Sequence, residues 1–315
     1  MENFVTYEKD YESAVGGTLH YTEVCGKGKE PLVLLHGSGM CREDYAMVYP
    51  YLADEFHIYS VDWFGHGKSS KKYELYTGVN NGEAVTGFVG DVVAEPCIIA
   101  GHSVSGFIAV YAAGHAPELV KGLLLEDPPF YAAQIGEVEN CIAYKDSLEI
   151  IHNFINQDKE TDFIIYYLQN SFVFNSQGHE FALETAENAR AQRKEHPNEL
   201  PDVAFLSKNI LYGLTFIDQV DFQAIESFYC GRWYAGIKED ELLKKVKCPV
   251  TFMKTSTRYH KSGVLLATSS DEGAAKVVSL LDDCKKVEIR CGHDMHFART
   301  AEYVAEIKEL RGRCS

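Results

Sequence analysis

Apolar residues in the first part of the chain come in short unbroken runs. PLVLLHG (31–37), FHIYSVD (56–62), PCIIAGH (96–102) and VKGLLLED (120–127) are the clearest. Each is near-continuously apolar rather than alternating, which predicts strands buried on both faces of a parallel sheet. Helical spacing appears between them. VSGFIAVYAAGHAPE (104–118) carries apolar residues at helical intervals, and Pro117 marks its end. Strand and helix in alternation predict a doubly wound α/β fold with right-handed crossovers.

The rhythm stops near Phe130. From there to about Lys245 no buried-strand run occurs. CIAYKDSLEIIHNFINQ (141–157), TDFIIYYLQNSF (161–172) and HEFALETAENARAQRKE (179–195) read as amphipathic helices, and EHPNELPD (195–202) as a breaker. The sheet pattern resumes with CPVTFMK (248–254), a helix near 271–281, KKVEIR (285–290) and a last helix, AEYVAEIKELR (301–311). The expected architecture is a mostly parallel α/β core over 1–129 and 246–315, interrupted by an all-helical insertion over 130–245.

Composition narrows the classes of partner. Lys and Arg number 30 against 46 Asp and Glu, a formal net charge of −16. That argues against nucleic acid, which needs a basic face, and against an anionic membrane surface. The nine cysteines are scattered, odd in number and without a CxxC pair, so neither a disulfide framework nor a structural zinc site is expected. The opening MENFVTYEKD lacks a basic region followed by an apolar stretch, and no run reaches the roughly 20 apolar residues of a membrane span. A cytoplasmic protein with reduced thiols, monomeric or homodimeric, is expected.

The chemistry concentrates in IIAGHSVSGF (98–107). A serine hydroxyl becomes a nucleophile when a base takes its proton and a sharp strand-to-helix turn presents it. Such a turn needs small residues two positions before and after the nucleophile. Ser103 has Gly101 and Ser105 there, whereas Ser105 would have Phe107. Ser103 is therefore the nucleophile candidate, with Ser105 where a second glycine usually stands. LLHGSGM (34–40) ends the first strong strand and offers the Ser38 N–H as an oxyanion donor, with Val104 N–H as the second. His36 is expected to organise that loop.

The base should be a histidine near the C-terminus. RCGHDMHF offers His293, directly after a strand and a glycine, and His296, assigned a supporting or surface role. The acid is less direct. After PVTFMK no carboxylate occurs until Asp271, which reads as part of a helix start with Ser269 and Glu272 at capping-box spacing. One strand earlier, VKGLLLEDPPF ends in Glu126 and Asp127 before two prolines, at the sheet edge where ligands bind in open α/β folds. Asp127 is the assigned acid, with Glu126 and Asp271 as alternatives.

LLHGSG, VDWFGHGKS, AGHSVSG and CGHDMHF, in this order, resemble the α/β-hydrolase fold over almost the whole chain outside the insertion. The insertion falls where that superfamily carries a helical cap, between its sixth and seventh strands. Most members place an Asp after the seventh strand, and this sequence departs from that. In having the acid after the sixth strand it resembles some haloalkane and fluoroacetate dehalogenases and the zearalenone-type lactone hydrolases. Ser103 argues against dehalogenase chemistry, which uses an Asp nucleophile. The GHSVSG turn is also similar to that of the strigolactone and karrikin receptor hydrolases, which carry a shorter cap.

The expected activity is hydrolysis of a small, apolar or aromatic carboxylic ester or lactone, with no metal or cofactor. Amide, peptide or carbon–carbon bond cleavage, lyase chemistry on the same residues, or a ligand receptor with vestigial hydrolysis are the alternatives. Aromatic residues are frequent in the insertion. Phe130, Tyr131 and Trp233, near its two junctions, are the expected pocket walls.

Overall fold

The computed structural model describes residues 4–28, 30–132, 138–197, 199–203 and 212–314. Phe205, one of the insertion's aromatics, lies outside them, as does Asn198 of the predicted breaker. Eight strands form one sheet in the order β1-β2-β4-β3-β5-β6-β7-β8. The four runs read from the sequence are β3 (Glu30–Leu35), β4 (Phe56–Val61), β5 (Cys97–His102) and β6 (Val120–Glu126). β7 (Val250–Thr255) and β8 (Cys284–Ile289) complete the parallel part.

Burial explains why those runs are unbroken. Val33, Leu35, Ile99, Leu123 and Leu125 join the core on one face of the sheet. Leu32, Leu34, Ile98, Ala100 and Leu124 join the core on the other. With apolar partners on both sides, neither set of alternating positions is free to be polar. Two further strands escaped the pattern, β1 (Val5–Glu12) and β2 (Thr18–Cys25), an antiparallel pair at the sheet edge. β1 is exposed almost throughout, so its VTYEKDYE carries no buried-strand signature.

Helices α1 (Gly78–Phe88) and α2 (Ser105–His115) follow β4 and β5. Between β6 and β7 the chain runs through α3 (Glu149–Ile155), α4 (Phe163–Asn170), α5 (His179–Glu195), α6 (Phe222–Tyr229) and α7 (Glu239–Lys245). Ile164, Ile165, Leu168, Phe174, Ala182, Ala186 and Ala189 give this segment a core of its own. Its last part instead joins the sheet domain: Trp233, Leu242 and Leu243 belong to the core that holds α2. α8 (Asp271–Leu280) and α9 (Thr300–Arg313) flank β8 in sequence, and Tyr303, Ile307 and Leu310 of α9 fill the second core. Among the described residues no helix is long and apolar enough to cross a membrane.

The start of α8 differs by one residue from the sequence reading. Ser270, not Ser269, is the N-cap, its hydroxyl accepting from the Gly273 N–H at 3.1 Å.

Candidate active site

β5 passes into α2 through two residues, Ser103 and Val104, and Ser103 has a φ of +55°. A non-glycine residue in the left-handed region costs of order 1–3 kcal/mol and persists where its surroundings hold it. Here the Ser103 N–H donates to the Glu126 carbonyl at 2.7 Å, tying the turn to the end of β6. Close approach explains the small neighbours. A Cβ on Gly101 would lie 2.6 Å from the Ser105 carbonyl oxygen. A Cβ on Gly37 would lie 2.6 Å from His102 Nδ1 and 3.4 Å from Ser103 Cβ.

Ser105 does more than stand in for a glycine. It is fully buried, and its hydroxyl donates to the His36 carbonyl, joining the start of α2 to the loop after β3. His36 accepts on the same carbonyl from Trp63 Nε1 at 2.9 Å, and its own Nδ1 contacts the Gly37 carbonyl at 2.8 Å. Gly39 N–H donates to His66 Nε2 at 3.2 Å. The loop that carries Ser38 is thereby fixed from three sides. Neither the Ser38 nor the Val104 N–H has an acceptor among the described residues, and both residues line one cavity with Ser103.

The structure brings His293 to Asp127. The ring Nδ1 donates to Asp127 Oδ2 at 2.8 Å, leaving Nε2 on the far edge of the imidazole. His293 is 35% exposed and lines the cavity, while Asp127 is 1% exposed. Asp127 also sits at positive φ, +46°, pinned by its N–H to the Met253 carbonyl at 2.8 Å. Its Oδ1 accepts from the Thr255 N–H at 2.9 Å, and the Thr255 hydroxyl lies 3.3 Å from both carboxylate oxygens. Thr255, at the end of β7, thus supports the carboxylate delivered from β6. Burial works against protonation of His293, but the Asp127 hydrogen bond and charge outweigh it and raise its pKa above the usual 6.5.

The two alternative acids have other partners. Asp271 is exposed and accepts from Lys254 Nζ at 3.0 Å and the Thr257 hydroxyl at 2.8 Å. Glu126 is fully buried and takes His296 instead, from the backbone N–H at 2.9 Å and from Nδ1 at 2.9 and 3.0 Å. His296 Nε2 lies 3.1 Å from Asp44 Oδ1. Burial disfavours charge on His296, yet the two carboxylates hold its pKa well above the usual imidazole value. His102 stands between the two histidines, its ring 4.5 Å from that of His293 and 5.2 Å from that of His296. Burial, with these neighbours, keeps His102 neutral, far below its usual pKa.

Asp44, His102 and His296 place potential metal-ligand atoms within 4.8 Å of one another. Without an ion, the same atoms form a buried charge network in which Asp44 and Glu126 favour the protonated form of His296. Asp44 carried no signal in the sequence beyond its place in CREDY.

The cavity over Ser103 measures about 290 Å³. The expected pocket walls lie outside it. Phe130 is fully buried, its ring 4.4 Å from Phe107. Tyr131 turns away at positive φ, its N–H donating to Glu239 and its hydroxyl to Asp240, both at 2.9 Å. Trp233 is buried against Phe228, ring centres 4.8 Å apart. Among the described residues the aromatic walls are Phe228 and Tyr234, with Ile142, Leu148 and Leu266 beside them. Trp233 and Tyr234 are adjacent in a 3-10 turn, which points neighbouring side chains in different directions, so proximity to a junction did not identify the lining residue.

Comparison with known proteins adds a family. A stretch of 130 residues is 32% identical to the dihydrolipoyllysine-residue acetyltransferase component of the acetoin cleaving system of Pseudomonas putida, covering 41% of this chain and 34% of that one. A stretch of 118 residues is 32% identical to the pimeloyl-(acyl-carrier protein) methyl ester esterase of Edwardsiella ictaluri, 36% of this chain and 43% of that one. The matches thus span less than half the length of either relative. Among solved structures, an esterase from Rhodococcus sp. ECU1013 superposes with a TM-score of 0.68 at 18% identity, over 98% of this chain and 99% of that one, a likeness of fold. The family model described as alpha/beta hydrolase matches residues 32–307, from the strand before the Ser38 loop through the helix after His293. This chain belongs to the alpha/beta hydrolase family.

Proposed function

We propose that this protein is a serine hydrolase acting on a small, apolar or aromatic carboxylic ester or lactone. The observation that carries the reading is the 2.8 Å bond from His293 to a buried Asp127 within a cavity that also holds a backbone-strained Ser103. Asp127 fixes the Nδ1–H tautomer of His293, so Nε2 is the nitrogen able to accept a proton. His293 takes the Ser103 proton as Oγ attacks the carbonyl, and the free N–H groups of Ser38 and Val104 receive the oxyanion. Collapse expels the alcohol, which takes its proton from His293. Water then attacks the acyl-enzyme with the same histidine as base. The helical segment between β6 and β7 acts as a cap, and Phe228 and Tyr234 on it favour a flat or apolar substrate group.

A fluorophosphonate probe tests the nucleophile. The expected result is a single adduct, located by mass spectrometry on Ser103; an adduct elsewhere, or none on folded protein, overturns the assignment. The base predicts a pH profile. Because the His293 pKa is raised and catalysis needs its neutral form, kcat/KM should fall as pH drops through a value above 6.5. Asp127→Asn removes the charge that raises it, so the residual activity of that variant should lose its acid limb at lower pH. A limb that does not move would remove Asp127 from the role.

A further inference from the structure

We propose that Arg258 recognises a carboxylate on the substrate, away from the scissile bond, so that the preferred substrates are half-esters or lactones carrying a free carboxylate. The inference rests on the serine-hydrolase reading and narrows its substrate class.

The segment after β7 does not run straight into α8. It folds against the start of the insertion. Ile142 N–H donates to the Leu265 carbonyl at 2.8 Å, and Leu265 N–H donates to the Asn140 carbonyl at 2.9 Å. Leu266 N–H donates to the Arg258 carbonyl at 2.7 Å. These bonds hold the backbone of Arg258 in place while Arg258 and Leu266 line the same cavity as Ser103 and His293.

Charge in that cavity is otherwise spoken for. Asp127 belongs to His293 and Thr255. Asp146 accepts from the Tyr167 hydroxyl at 2.8 Å, the Ser171 hydroxyl at 2.6 Å and the Val173 N–H at 3.2 Å. Burial pushes the Asp146 pKa up, and those three donors restrain the rise. Arg258 has no carboxylate within ion-pair distance among the described residues, although the chain carries 46 acidic side chains. Arg42, Arg190, Arg193, Arg311 and Arg313 each hold at least one; Arg232, Arg290 and Arg299 share the lack of one among the described residues, but none of those three lines the cavity.

Arg258 is exposed and lines the rim of a largely apolar cavity, and a guanidinium there offers a planar fork that fits a carboxylate through two parallel hydrogen bonds. A dianionic phosphate would need a second cation, and Arg258 is the lone Lys or Arg among the described residues lining the cavity. The net charge of −16 repels any anion at long range, so discrimination must come from this local contact. The carboxylate also has to sit apart from the oxyanion forming at Ser103, which places it at the far end of the acyl or alcohol group.

The test compares monomethyl suberate with methyl octanoate in wild type, Arg258→Lys and Arg258→Gln. Wild type is expected to favour the half-ester in kcat/KM by about tenfold or more. That ratio should collapse toward one in Arg258→Gln, stay intermediate in Arg258→Lys, and shrink with added salt. Labelling of Ser103 by a neutral fluorophosphonate reports that each variant is folded. A wild-type ratio at or below one, or an unchanged ratio in Arg258→Gln, overturns the inference while leaving the hydrolase reading intact. No turnover of either ester together with no labelling of wild type overturns both.

Discussion

Ester turnover is expected to fall about a million-fold in Ser103→Ala and about ten-thousand-fold in Asp127→Asn, and to stay within about twofold of wild type in Asp271→Asn. Loss of Ser103 removes the attacking atom; what survives is binding and the oxyanion donors. Asp127→Asn keeps the shape of the site but replaces an acceptor with an amide whose NH₂ cannot accept from His293 Nδ1. The imidazole is then free to take the other tautomer, with its proton aimed at the serine, and the charge that stabilises the imidazolium is gone. Asp271 has neither opportunity. It is exposed on the first turn of α8, and its carboxylate is held by Lys254 and Thr257. Initial rates on a chromogenic ester measure all three variants. Comparable losses in Asp127→Asn and Asp271→Asn would return the acid to the loop after β7. An active Ser103→Ala would end the serine mechanism.

The pattern of expected losses follows what was legible in the sequence. Ser103 could be read because a nucleophile turn is local: one strand, one small residue on each side and one helix, all within ten positions. His293 was readable for the same reason. Asp127 was readable mainly by exclusion, since the stretch after β7 holds no carboxylate before Asp271. The structure supplies the reason that the sequence could not. Thr255 ends β7 beside Asp127 and gives it both an N–H and a hydroxyl. The walls of the cavity were not legible, because which side of a 3-10 turn faces inward depends on packing against distant residues such as Phe107, which the local sequence does not encode. Trp233 was named and Tyr234 was the residue that lines the space. β1 failed for a simpler reason: an exposed edge strand has no apolar face to announce it.

His296 is where the sequence reading was least complete, and it carries the second large effect. Glu126→Ala is expected to destabilise the fold by about 3–5 kcal/mol, measured by urea unfolding. The side chain is fully buried and accepts both the His296 N–H and its Nδ1–H. Its removal leaves a buried imidazolium with Asp44 as its remaining carboxylate partner and strips a backbone N–H of its acceptor. His296→Ala alone leaves two buried carboxylates facing each other's field. The double variant removes one ion of each sign, so its cost should fall short of the sum of the single costs by about 1–3 kcal/mol. The sign of the pH dependence follows from the raised His296 pKa. Its contribution is fully present below the ordinary imidazole value and is lost as pH rises through the folded value, so wild type and His296→Ala should converge in stability at high pH. Activity should suffer beyond the loss of stability. Glu126 adjoins Asp127, and His296 lies three residues beyond His293, so this buried pair holds base and acid in register. Strictly additive single and double variants, with full activity in the folded fraction, would show that the network neither couples nor positions.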